Sequence, residues 1–191
     1  VLSRELHAKG IYPPVDVNSF HISDNPGEYY LYTGRLISHK RADIVINACK
    51  KLGRKLIIAG DGLERNNLEK LAEGADIKLI GRYNDNQLDS LYANCKALLF
   101  PSDEDFGLVP VEAQACGRPV IAYRSGGILE TVSEGVTGVF FDQQNEESLI
   151  NAIHRFETMT FNPLSIRQNA MKFDISIFKN KFQTYVNKVM K

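Results

Sequence analysis

The chain has 191 residues, enough for one ordinary domain with a sizeable core. Its 43% hydrophobic and 24% charged content is that of a soluble globular protein, and 23 basic against 23 acidic residues leave no global basic field to collect nucleic acid. No apolar run approaches the roughly 20 residues that a membrane span needs.

Val1–Gly10 is polar and charged, so no signal peptide is expected, and a start at Val1 rather than Met points to a piece of something longer. Residues 1–28, with Pro13-Pro14, Pro26 and Gly27, carry no sustained period and read as an extended linker rather than a packed element. From Tyr29 onward the chain repeats a rhythm of short apolar run, loop and amphipathic helix. Strands are predicted at 29–33, 55–59, 77–80, 97–100, 119–122 and 138–141. Helices are predicted at 42–52, 63–73, 86–93, 108–115, 128–133 and 146–156, and then over 164–171 and 175–190. In the last of these, Phe178, Phe182, Tyr185, Val186 and Val189 share one face. Short apolar strands alternating with helices of about three turns predict an α/β domain over residues 29–191, a doubly wound parallel sheet covered on both faces. Cys49, Cys95 and Cys116 lie far apart in apolar or helical contexts, as buried reduced thiols would in a cytosolic protein. The four histidines are scattered, so no metal site is expected.

In such a sheet, ligands bind beyond the carboxyl ends of the strands, so the loops that follow the strands carry the information. After the first strand, Gly34 allows a sharp exit and Arg35 and Lys40 then stand at the two ends of a loop. An arginine fork and a lysine point charge suit a diphosphate, although a solvated basic loop fits the spacing equally well. Gly60-Asp61-Gly62 is a two-glycine turn that lacks the third glycine of the dinucleotide fingerprint, since residue 65 is Arg. By itself it reads as a simple turn with Asp61 in solvent. Gly81-Arg82-Tyr83 offers a planar guanidinium or a ring to a nucleobase, or is an ordinary strand-to-helix turn. The strongest segment is Glu104-Asp-Phe-Gly-Leu-Val-Pro-Val-Glu112. Gly107 opens a helix there, so the N–H groups of Gly107, Leu108 and Val109 can face an anion. Pro110 suits the first turn, where its absent N–H costs nothing. Glu104 precedes the helix and Glu112 lies about 6 Å along it from Leu108. Carboxylates placed this way can accept hydroxyl hydrogen bonds from two different rings. Glu112 also sits among Val109, Val111, Ala113 and Ala115, which argues against a plain surface acid.

Between Ile11 and Asp142 these segments, in this order, resemble glycosyltransferase family 4, retaining enzymes of the GT-B architecture. The resemblance is carried by Tyr12-Pro-Pro-Val-Asp16, Gly34-Arg-Leu with Lys40, Ile58-Ala-Gly-Asp-Gly62 and Glu104 through Ala113. It continues through Gly117-Arg-Pro-Val-Ile-Ala122, Gly126-Gly127 and Gly135-Val-Thr-Gly138. It implies the C-terminal, Rossmann-like donor domain of such an enzyme, with Arg35 and Lys40 on the donor diphosphate. Glu104 and the backbone of Phe106, Gly107 and Leu108 would hold the sugar, Glu112 the ribose, and the Arg82–Tyr83 backbone the base. Of these, Arg35, Lys40 and Glu104 would be the catalytic set, with Gly34, Gly60 and Val109 completing the donor pocket. The resemblance further implies a nucleotide-sugar donor and no cofactor. GDP-mannose is the first donor expected, because Tyr12–Asp16 is similar to mannosyltransferases of polysaccharide and O-antigen assembly, and a UDP-sugar is the second. The Asp103-x-Asp105 spacing binds a metal in another glycosyltransferase architecture, but no further ligand accompanies it here. The resemblance implies that the acceptor, a glycan or a lipid-linked glycan, is bound by a preceding domain expected outside this sequence. A cytoplasmic location, with the full-length enzyme at the inner face of a membrane as an option, goes with that reading. A nucleotide-sugar epimerase or phosphorylase of the same architecture, and a non-catalytic nucleotide-sugar-binding module, are the alternatives.

Overall fold

Each predicted apolar run becomes a strand in the computed structural model, which describes residues 10–24 and 26–190. The strands are β1 (Tyr30–Thr33), β2 (Leu56–Ala59), β3 (Ile77–Gly81), β4 (Ala97–Phe100), β5 (Val120–Tyr123) and β6 (Gly138–Phe141). They form one sheet in the order β3-β2-β1-β4-β5-β6, with every neighbouring pair parallel. The connecting helices are α1 (Ala42–Leu52), α2 (Arg65–Ala72), α3 (Asp85–Asn94), α4 (Leu108–Ala115), α5 (Ile128–Thr131) and α6 (Glu146–Glu157). Two more, α7 (Pro163–Ala170) and α8 (Ile175–Val189), follow the sheet. This is the expected doubly wound, Rossmann-like α/β fold.

Side chains alternate across a strand, and here the alternation divides the core in two. Tyr30, Tyr32, Ala97, Leu99, Ile121, Val139 and Phe141 pack with α1 and α6 residues such as Val45, Cys49, Leu149 and Ile153. Leu31, Leu98, Phe100, Val120, Ala122 and Phe140 pack on the other face against Tyr92, Ala113 and Ile128. Shortening one of the fully buried ones, such as Leu98 to Ala, costs about 2–5 kcal/mol by the usual cavity rule. All three cysteines are buried and free, as expected.

Element ends follow local chemistry. In α1 the helix stops at Gly53, which takes a left-handed φ of 61°. For α3, Asn84 and Gln87 form a reciprocal cap, while Asn145, Asn162 and Asp174 cap α6, α7 and α8. The second predicted helix starts two residues late, at Arg65, because Leu63 stands almost wholly in solvent in the preceding turn. The fifth strand begins at Val120, after Pro119, whose nitrogen has no hydrogen to donate.

The segment before β1 departs from expectation. Its backbone has no long element, yet it packs: Val15 and Val17 are buried with Val111, Ala115, Ala170 and Phe173 in a third, small cluster. Val15 N–H donates to the Phe173 carbonyl at 3.0 Å, and Arg167 donates to the carbonyls of Val17 and Phe20. Val15 makes a single bridge to Asp174 and Val17 opens a 3-10 turn (Val17–Ser19), so the pair belongs to no periodic element that sequence could show. Helix α8 forms over Ile175–Val189, close to the predicted 175–190. Its apolar stripe is unburied, with Phe182 and Tyr185 half exposed. Residues 1–9, with the polar opening and His7, and Lys191 lie outside the described residues. Among those described, no helix is long and apolar enough to cross a membrane.

Candidate active site

In this strand order the connections leave in opposite directions from β1 and β4, which are neighbours, and a crevice opens between their carboxyl ends. The loops after β1 and β4 are the two that carry Arg35, Lys40 and Glu104.

The loop after β1 is held by backbone pairing to its neighbours. Gly34 N–H donates to the Ala59 carbonyl, Leu36 N–H to Asp61 and Glu64 N–H to Leu36, all at 2.9–3.0 Å. Such close passage of two chains needs glycine: a Cβ on Gly60 would lie 1.8 Å from the Gly34 carbonyl oxygen. The loops after β1, β2 and β3 thereby enclose a cleft of about 660 Å³ lined by Gly34, Arg35, Gly60, Asp61, Arg82 and Tyr83, among others. Asp61 is more than the solvent-exposed residue of a simple turn. Its carboxylate accepts from Gly62 N–H (2.9 Å) and from Arg82 Nε (3.2 Å), which together hold it below the usual carboxylate range. The cleft therefore gathers five of the predicted residues, Gly34, Arg35, Gly60, Arg82 and Tyr83. Arg35 is exposed and makes no ion pair among the described residues.

Lys40 does not join Arg35. It ends a short 3-10 turn (Ser38–Lys40), and its Nζ reaches across the crevice to Glu104 Oε1 at 2.5 Å. The two side chains are 18% and 27% exposed, so the pair is largely shielded from water. Neighbouring groups fix it on both sides. The Lys40 carbonyl accepts from the hydroxyls of Tyr32 (3.4 Å) and Ser102 (3.3 Å), and Gln144 Nε2 donates to the Pro101 carbonyl (2.8 Å). Burial first, then the Glu104 charge, pushes the Tyr32 phenol up, so it serves as a donor.

Glu104 is held from the far side by Gly126-Gly127. Gly127 N–H donates to the Glu104 carbonyl at 2.9 Å, and a Cβ on Gly127 would meet the Asp105 carbonyl oxygen at 2.1 Å. Phe106 stacks on Tyr12 at 5.4 Å, with Phe173 edge-on to both rings. Gly107 then turns the chain with φ 82° into α4, so the helix begins where Leu108 and Val109 present their first-turn N–H groups. Asp103 and Asp105 are exposed and gain no third partner, since no cluster of three or more potential metal ligands occurs among the described residues.

Glu112 lies one turn down α4 and mostly out of water. Its Oε2 accepts from the Tyr92 hydroxyl at 2.9 Å, which in turn meets Thr33 Oγ1 at 2.9 Å at the end of β1. Burial raises the Glu112 carboxyl and the Tyr92 hydrogen bond partly offsets that rise. Tyr83 is close enough for the Glu112 charge to raise its phenol beyond what burial does. Tyr92, Thr33, Tyr32 and Ser102 escaped sequence reasoning. Tyr92 had a faint signal, as a tyrosine on a helix face that must bury its hydroxyl and so needs a partner.

The arrangement can hold an extended anion. One free guanidinium and one lysine already shared with a carboxylate stand in the loop after β1, a helix N-terminus follows the loop after β4, and a second carboxylate, mostly out of water, lies on α4. Comparison with known proteins gives this a context. The model of the group 1 glycosyl transferases matches residues 18–173, which extends the similarity through α7. An uncharacterized glycosyltransferase of Methanocaldococcus jannaschii is 34% identical over 131 residues, 65% of this chain and 37% of that protein. A D-inositol 3-phosphate glycosyltransferase of Mycobacterium tuberculosis is 37% identical over 119 residues, 56% of this chain and 25% of that one. Among solved structures, Anabaena HepE in complex with UDP superposes with a TM-score of 0.79 at 25% identity, over 93% of this chain and 56% of HepE. The lipopolysaccharide outer core galactosyltransferase WaaB shares the fold, with a TM-score of 0.79 at 20% identity over 94% and 55% of the chains. The chain spans about a third of the length of the curated relatives it matches.

Proposed function

The chain belongs to the group 1 glycosyl transferases, and from that membership we propose that it is the donor-binding portion of a longer, retaining hexosyltransferase. Residues 29–191 are the donor domain in this reading and residues 1–28 the connection to the remainder. The observation that carries it is the Lys40–Glu104 pair that joins the loops after β1 and β4, with Arg35 unpaired in the first of those loops. The diphosphate lies along Arg35, Lys40 and the N-terminus of α4. The sugar meets Glu104 and the backbone of Phe106–Leu108, the ribose meets Glu112, and the base enters the cleft by Arg82 and Tyr83. The UDP held by HepE supports a uridine diphosphate hexose as the first donor to test, with GDP-mannose second.

In transfer, the bond between the sugar C1 and the phosphate oxygen breaks and its electron pair goes to the diphosphate. An acceptor hydroxyl, of a glycan or a lipid-linked glycan bound by the remainder of the protein, bonds to C1 on the face the phosphate leaves. Its proton passes to the departing oxygen. Arg35, Lys40 and the α4 amides are placed where the negative charge grows, and fixed donors of this kind are usually the largest catalytic contribution.

Calorimetric titration of the chain with UDP-glucose and GDP-mannose checks the reading. Binding of one of them is expected, with no transfer to acceptor by this chain alone. Arg35→Ala is expected to weaken binding roughly tenfold, the size of a lost charge-assisted hydrogen bond. Wild-type affinity in Arg35→Ala would remove the diphosphate assignment.

A further inference from the structure

We propose that Glu104 makes the site select the sugar-bearing donor over the bare nucleoside diphosphate, by holding Lys40 whenever no sugar is present. This rests on the donor-site reading above and concerns what the Lys40–Glu104 pair does when the ligand changes.

The contact occupies the two residues meant for different parts of one ligand. Lys40 Nζ sits on Glu104 Oε1 at 2.5 Å in a setting where both side chains are mostly covered. A lysine neutralised this way offers an incoming phosphate little net charge, and the carboxylate beside it repels the phosphate. Arg35, exposed and unpaired, is then the one side-chain cation of the proposed donor set with its charge free. A sugar changes the balance, because its hydroxyls donate to the Glu104 carboxylate and take the place of the ammonium. Lys40 is then released toward the diphosphate.

A bare diphosphate has no hydroxyls to offer Glu104. It also carries more charge than the sugar ester, because its terminal phosphate has a second ionisation near pH 6. Glu104 therefore opposes it twice, by repulsion and by keeping Lys40. After transfer the product is that diphosphate, so Glu104 taking Lys40 back loosens the product and clears the site. The backbone does not have to move for this. The Glu104 carbonyl is fixed by Gly127 N–H and the Lys40 carbonyl by Tyr32 and Ser102, so the exchange is confined to two side chains.

The test is titration of the wild type, Glu104→Gln, Lys40→Met and the double variant with UDP, UDP-glucose, GDP and GDP-mannose. Thermal unfolding of each variant confirms a folded protein. The wild type is expected to prefer the sugar nucleotide. Glu104→Gln is expected to tighten the diphosphate about three- to fivefold and to loosen the sugar nucleotide, the scale of a partly exposed ion pair. In the Lys40→Met background the gain for the diphosphate should shrink. Unchanged or weaker diphosphate binding in Glu104→Gln, or an equal gain for both ligands, overturns the exchange while leaving the donor site standing. If no nucleotide binds the wild type at all, the donor-site reading falls and this proposal with it.

Discussion

A carboxylate mostly out of water on a helix keeps its charge only with a donor beside it, and Tyr92 is that donor for Glu112. Burial lifts the Glu112 carboxyl above its ordinary value, and the Tyr92 hydrogen bond pulls it part of the way back. The acceptor role proposed for Glu112 needs the ionised form, so nucleotide affinity due to it is expected above its folded-state pKa and should be lost as pH falls through it. Tyr92→Phe removes the offsetting hydrogen bond, so the carboxyl should rise further and affinity should disappear at a higher pH than in the wild type. Titrations with the bound nucleotide across mildly acidic pH check this, and coincident profiles for the two proteins would contradict it. The same change leaves Glu112 without a partner and should lower stability by about 1–3 kcal/mol.

At the scale of elements, the loop that carries Glu104 is set by contact with the turn after β5. Gly127 has an ordinary helical φ of −70°, so glycine is required there by the space and not by the backbone angle. A methyl group would sit 2.1 Å from the Asp105 carbonyl oxygen and 2.5 Å from Phe106 Cα, both backbone atoms that cannot rotate away. Gly127→Ala is therefore expected to displace residues 104–106, to cost about 1–3 kcal/mol as overpacking does, and to weaken nucleotide binding as well. Chemical denaturation and titration of one variant read both effects. Retained affinity with reduced stability would show that the proposed site does not depend on this loop.

Across the whole molecule, the crevice lies at the carboxyl ends of the strands and an ion cluster lies at their opposite ends. Glu157, at the end of α6, accepts from Arg54 Nε and Nη2 at 2.8 Å each, from the Tyr30 hydroxyl at 3.0 Å and from Lys96 Nζ at 3.2 Å. These join α6 to the approaches of β1, β2 and β4. Led by the Arg54 hydrogen bonds, they lower Glu157 to about 2 from its ordinary 4.5. A carboxyl depressed by folding contributes stability above its unfolded value and loses it as pH falls through the folded one. Glu157→Gln is thus expected to be less stable than the wild type at neutral pH and to show a flatter stability profile between pH 4.5 and about 2. Its nucleotide affinity should stay unchanged, because the cluster stands at the other end of the sheet. An altered affinity would contradict that separation of stability from binding.

Much of the architecture was legible without coordinates because it is written in short windows. The spans 42–52, 97–100, 108–115 and 138–141 coincide with the observed elements, since apolar periodicity and a terminal glycine or polar turn settle each of them locally. The order of glycine-bearing loops also pointed to the family and to Arg35, Lys40, Glu104 and Glu112 as the residues of interest. Sequence did not provide the strand order that makes β1 and β4 neighbours, and hence did not bring residues 40 and 104 within one ion pair. Nor did it place the Tyr92 hydroxyl between Thr33 and Glu112, or tuck Val15 and Val17 under α4 and α7. Periodicity reports which face of an element is apolar, whereas partners far apart in the chain meet only when packing selects one arrangement of those faces. The sequence by itself therefore determined the elements, the class of fold and the chemical character of the loops. Only the tertiary structure decided which charges neutralise each other, leaving Arg35 open and Lys40 held.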